Sequence, residues 1–195
     1  MDITKVKFIY AYPLDRGRRE LFKQKDLGTY PTIEEVKSTI EKWEKIWEEE
    51  NKDDKIVKEL IDVTKRVPER SLECFVFGGG LNSMSTPFLM SVTTRSGALD
   101  DERFIDTLIH EIIHIFVTSK AKDYWDLIGR KYADEQPIVR NHIIVYAILE
   151  HTYDKFFERK PIDYSRSDIS EGYKKAVEIV KNEGYEKLIK EFQRS

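Results

Sequence analysis

Residues 101–118 read DERFIDTLIHEIIHIFVT, and the reading of this stretch decides the class of fold. At 100° per residue, Phe104, Ile105, Leu108, Ile109, Ile112, Ile113, Ile115, Phe116 and Val117 form one broad apolar arc. Thr107, His110, Glu111, His114 and Thr118 fill the narrow sector that remains, and only Asp106 falls on the wrong side. Asp100 and Asp101 supply a cap and a negative charge for the first turn. The spacing predicts a helix over 101–118 that buries one wide face and directs two His and one Glu from the other.

Within it, His110-Glu111-Ile112-Ile113-His114 is an HExxH string. Imidazoles four residues apart on a helix stand one turn above each other on the same face, so both reach one zinc ion. Glu111 points beside them, placed to take a proton from water at the metal. With four His in the chain, a chance match to these positions is expected about 0.01 times per sequence. A polar stripe filled at random here would carry Lys or Glu, which dominate elsewhere. The string is therefore read as chemistry.

A catalytic zinc takes three protein ligands and leaves one position open. The third ligand is sought after Pro137, where residues 138–157 predict a second helix, apolar all round and so buried. His142, Tyr146, Glu150 and Asp154 form a polar ridge along it at intervals of four. His142 and Glu150 are eight residues apart, about 12 Å along the axis, so one ion cannot take both. His142 makes a three-His site and is the preferred ligand. Glu150 is the rival, with Asp154 orienting a ligand imidazole from behind, and Glu135 is a third candidate. Tyr146, Tyr132 and His151 are candidate donors to an oxyanion.

With these residues the chain resembles the zincin metallopeptidases, on His110-Glu111-x-x-His114 in a helix followed by a buried helix. Glu150-His151-Thr152-Tyr153-Asp154 looks like the second motif of the gluzincins, where a Glu ligates and an Asp four later supports a His. The longer metzincin motif is absent, since position 120 is Lys and no His follows until 142. The resemblance covers residues 71–157. It implies an antiparallel edge strand beside the active-site helix, a zinc-dependent hydrolase and a peptide or protein substrate. Residues 88–94 are the expected edge.

Around this lies scaffold. Residues 6–11, 72–77 and 88–94 predict strands, and Gly78-Gly79-Gly80 a turn between two of them. The Gly run could cradle a phosphate, but no Lys-Ser/Thr follows it. Thr32 and Glu35 form a capping box for a helix over 32–50, whose stripe of Ile33, Val36, Ile40, Trp43, Ile46 and Trp47 packs on the domain's own sheet rather than on a partner. Residues 55–66 resume helical spacing, and residues 169–192 give helix interrupted near Gly184.

At 195 residues one domain, 1–195, is expected, of the α+β class: a small mixed or antiparallel sheet packed on the HExxH helix, with further helices on both sides. A net charge of −3 offers no basic field for nucleic acid. No apolar run nears membrane length and Met1–Tyr12 has no leader core, so a cytoplasmic protein with no membrane partner is expected. Cys74 is the sole cysteine, a small buried hydrophobe in a strand. Two functions remain open: a zinc peptidase with Glu111 as base, and a non-catalytic zinc-binding interaction module that leaves Glu111 unused.

Overall fold

The computed structural model describes residues 5–68, 71–94, 97–118, 122–164 and 169–194. The fold is mixed α+β. By its internal packing the chain forms two compact units, Met1–Asp54 with Pro68–Glu111, and Lys55–Val67 with Ile112–Ser195. The division falls inside one continuous helix, α4 (Asp101–Thr118), which is common to both.

The first unit holds the sheet. Its strands β1 (Val6–Tyr10), β2 (Leu72–Gly79) and β4 (Phe88–Thr94) run parallel in that order. Two short strands, β3 (Met84–Ser85) and β5 (Gly97–Ala98), pair antiparallel with β4. Parallel neighbours need long crossovers, and α1 (Tyr12–Lys25) and α2 (Ile33–Glu50) lie in the one between β1 and β2. Most of β2 lies in the core, with Leu72, Cys74, Val76 and Phe77 buried and Glu73 exposed. The sheet is therefore mixed. The expectation that residues 88–94 form a free edge is corrected, because β2 lies on one side of β4 while β3 and β5 cover its two ends on the other.

The Gly run is also corrected. Gly78 and Gly79 belong to β2, and only Gly80, with φ of +83°, takes a left-handed turn. They are glycines because side chains crowd in: a Cβ on Gly78 would lie 2.5 Å from the Tyr30 ring. Tyr30 is fixed there by Asp15 of α1, which is fully buried. Asp15 accepts from the hydroxyls of Tyr10 at 2.7 Å and Tyr30 at 2.8 Å, from Arg19 at 2.8 Å and from the Gly78 N–H at 2.7 Å.

Helix α2 starts on the expected capping box, with Thr32 Oγ1 accepting from the Glu35 N–H at 3.1 Å and Glu35 accepting from the Thr32 N–H at 2.6 Å. Its buried face, Val36, Ile40, Trp43 and Trp47, packs within its own unit, against β1 and β2. Trp43 stacks on Phe104 of α4 at 4.5 Å, and Phe104 meets Phe8 of β1 at 5.9 Å. These contacts seat the first half of α4, whose first turn is capped by Asp100 accepting from the Arg103 N–H at 2.8 Å.

The second unit is helical. At its centre is α6 (Pro137–Phe156), packed by α3 (Lys55–Thr64), α7 (Glu171–Glu183) and α8 (Tyr185–Arg194). Its residues from His142 to Leu149 are all buried, which accounts for the all-round apolar pattern. Glu59 of α3 ties to α6 by accepting from His151 Nε2 at 2.8 Å and pairing with Lys155. Gly184, with φ of +84°, separates α7 from α8. α5 (Lys122–Lys131) had no counterpart in the sequence reading. No helix among the described residues is long and apolar enough to cross a membrane.

Candidate metal site

Helix α4 presents His110 and His114 one turn apart, and α6 presents His142 from its second turn. Nitrogen atoms of the three imidazoles, one from each ring, all lie within 4.8 Å of one another. His114 Nε2 and His142 Nε2 are 3.2 Å apart. Two nitrogens bound at about 2.05 Å to a tetrahedral ion lie about 3.3 Å apart. The pair has the spacing that two ligands of one small cation would take, and the same spacing serves a hydrogen bond between the two rings.

The protonation of these rings suits ligation. His142 Nδ1 lies 2.8 Å from the Ile138 carbonyl oxygen, so Nδ1–H donates there and Nε2 keeps its lone pair on the side of His114. A second hydrogen bond of this kind is what orients metal-binding imidazoles. Burial, with His142 beside it, pushes the His114 pKa down to about 3. Burial lowers that of His142 as well, against the opposing pull of the Ile138 carbonyl. Both rings are neutral near pH 7, and neutral imidazole is the form that binds metal.

Glu111 follows His110 on α4 and lies outside the cluster of three His. It is 8% exposed, and burial pushes its pKa up to about 8. It has no hydrogen-bond or ion-pair partner among the described residues. A buried carboxylate without a partner is unfavourable, so such groups mark functional positions more often than structural ones. Of the polar sector read from the sequence, His110 and Glu111 are buried, Thr107 and His114 are half-buried and Thr118 is exposed.

The other candidates stand elsewhere. Glu150 accepts from the Tyr164 hydroxyl at 2.8 Å and pairs with Lys160 at 3.4 Å, while Lys160 also holds Asp154 at 2.5 Å. Glu135 is half-buried and lies outside the cluster of three His. Tyr132 donates to Glu183 at 2.5 Å, and His151 is engaged by Glu59. Of the proposed oxyanion donors only Tyr146 is near, its ring 6.1 Å from that of His142. Closer still is Tyr173 of α7, at 4.4 Å from the His142 ring, which the sequence reading missed. It lies 31 residues along the chain from His142 with no motif to connect them, and only the packing of α7 on α6 brings it in.

The chain matches no protein-family model, no curated protein and no solved structure. The functional reading therefore rests on residues and geometry.

Proposed function

We propose that this protein is a zinc-dependent hydrolase that cleaves peptide bonds, with a zincin-like arrangement of its helices. The convergence of His110, His114 and His142, with Glu111 next to the first, buried and without a hydrogen-bond or ion-pair partner among the described residues, carries this reading. Three neutral imidazoles with a fourth position left open are a donor set of catalytic zinc. Glu111 favours an enzyme over a storage or structural site, since metal binding alone has no use for it.

Zinc bound there supplies a Lewis acid and lowers the pKa of water at the site to about 7. The chain's own part is positional and acid–base. His110, His114 and His142 hold the cation against the α4 face that carries Glu111. A dication close by favours the carboxylate form of Glu111, reversing the effect of burial. Glu111 then accepts a proton from the attacking water and delivers it to the leaving nitrogen.

The Glu111→Gln variant tests this directly. Gln has nearly the same size and cannot accept that proton, so the variant should keep zinc and fold while peptide cleavage falls by about 10²–10⁴-fold. The measurement is mass-spectrometric cleavage of a library of extended peptides, beside elemental analysis of both proteins. Equal cleavage by wild type and variant would remove Glu111 from the mechanism. Bound zinc with no cleavage by wild type would favour the interaction-module reading.

A further inference from the structure

The metal-facing ring of His142 is held by more than its own helix. Its Nδ1–H is on the carbonyl of Ile138, in the first turn of α6. Its ring packs on that of Tyr173 at 4.4 Å, inclined by 45°. Tyr173 in turn stands in the first turn of α7, where Ser170 caps the helix by accepting from the Tyr173 N–H. Between Ser170 and Tyr173 lies Gly172, and this glycine has no conformational reason to be one. It stands at the second position of α7, and its φ is not positive.

The reason is steric. A Cβ on Gly172 would lie 2.5 Å from Ile138 Cγ2, where carbon atoms at contact sit about 3.5–4.0 Å apart. Because Ile is branched at Cβ, Cγ2 cannot swing aside without rotating the whole side chain. The missing side chain therefore lets the first turn of α7 close on the first turn of α6. Both restraints on His142 arise at that contact: the Ile138 carbonyl on one side and the Tyr173 ring on the other. All four residues belong to the second unit.

We propose that Gly172 and Tyr173 are positioning residues for the metal site: the absence of a side chain at Gly172 lets α7 approach α6 closely enough for the Tyr173 ring to hold His142 in the orientation in which it offers Nε2. The inference rests on the metal-binding reading for its consequence, while the clamp on His142 is made by protein groups alone. Neither residue touches the reacting atoms.

A double-variant cycle tests it. Gly172→Ala should weaken zinc binding, read by competition with a chromophoric chelator, by about 10–100-fold, the range for loss of a group that orients a ligand. Ile138→Ala keeps the carbonyl and removes Cγ2, and since Ile138 is 37% exposed it should leave affinity near the wild-type value. Combined with Gly172→Ala it should restore most of the loss. Tyr173→Phe keeps the ring and should retain affinity, whereas Tyr173→Ala should lose it. In metal-free protein the His142 ring-proton shifts read the same clamp, moving in Gly172→Ala and returning in the double variant. Shifts that stay put in Gly172→Ala overturn the proposal, and so does a double variant as weak as Gly172→Ala. Wild-type protein that takes up no zinc overturns the metal reading, and the ring-proton shifts then decide the positioning alone.

Discussion

Asp15 carries a carboxylate with no exposed surface, and four donors converge on it. Burial by itself raises its pKa, but hydrogen bonds from Tyr10, the Gly78 N–H, Arg19 and Tyr30 outweigh this and hold it below the ordinary value. Asn in its place would set an amide N–H against donors and leave Arg19 without its carboxylate, with only the Pro31 carbonyl to donate to among the described hydrogen bonds. Asp15→Asn should cost about 3 kcal/mol at pH 7, the range for breaking a buried charged network from one side. The pH dependence has a definite sign. A depressed folded pKa gives stability that is fully present above the unfolded value of about 3.9 and is lost as pH falls through the folded one. Urea unfolding should therefore show a constant gap between wild type and Asp15→Asn from pH 7 to about pH 4, narrowing below. A gap that widens in acid would show that Asp15 is not held as a carboxylate.

At the scale of elements, α6 decides which of its side chains joins His110 and His114 in the cluster. His142 and Glu150 share one stripe of the helix, so spacing could state that they exclude each other but could not choose between them. The choice is made by the segment after the helix, where Tyr164 and Lys160 engage Glu150, and by α7, which brings Tyr173 to His142. Elemental analysis should accordingly find zinc lost from His142→Ala and kept by Glu150→Gln; the opposite pattern would restore the gluzincin-like assignment. The same contrast explains what was legible. Helices α4 and α6 and the capping box of α2 follow from short-range periodicity and local side-chain chemistry, which one sequence displays. Helix α1 was missed because Gly17 and a run of Arg leave only Leu14, Leu21 and Phe22 as a thin apolar stripe. The parallel pairing of β1, β2 and β4 was missed because strand order is settled by crossovers between distant segments. The Gly run read as a turn for a similar reason: the side chains that require glycine there, Tyr30 and Thr93, are remote in sequence.

On the scale of the whole molecule, nitrogen atoms of the three imidazoles lie within 4.8 Å of one another, and burial keeps two of the rings neutral near pH 7. A cation held by these rings would stabilise the folded state that brings them together. A ligand that binds only the folded protein stabilises it by RT ln(1 + [L]/Kd), about 2.7 kcal/mol at a hundredfold excess over Kd. For a chain of this size each kcal/mol moves Tm by about 2–4 °C, so zinc should raise Tm by about 5–11 °C and a chelator should lower it again. His110→Ala and His114→Ala should abolish the response, because each removes a ligand and leaves too few to retain the ion. Glu111→Gln should preserve it, since its carboxylate is not one of the clustered donors. That pairing separates the two roles of the HExxH segment with a measurement that needs no substrate. A zinc-dependent Tm that survives His114→Ala would place the metal elsewhere, and a Tm indifferent to zinc in the wild type would leave the cluster as a packed set of neutral imidazoles.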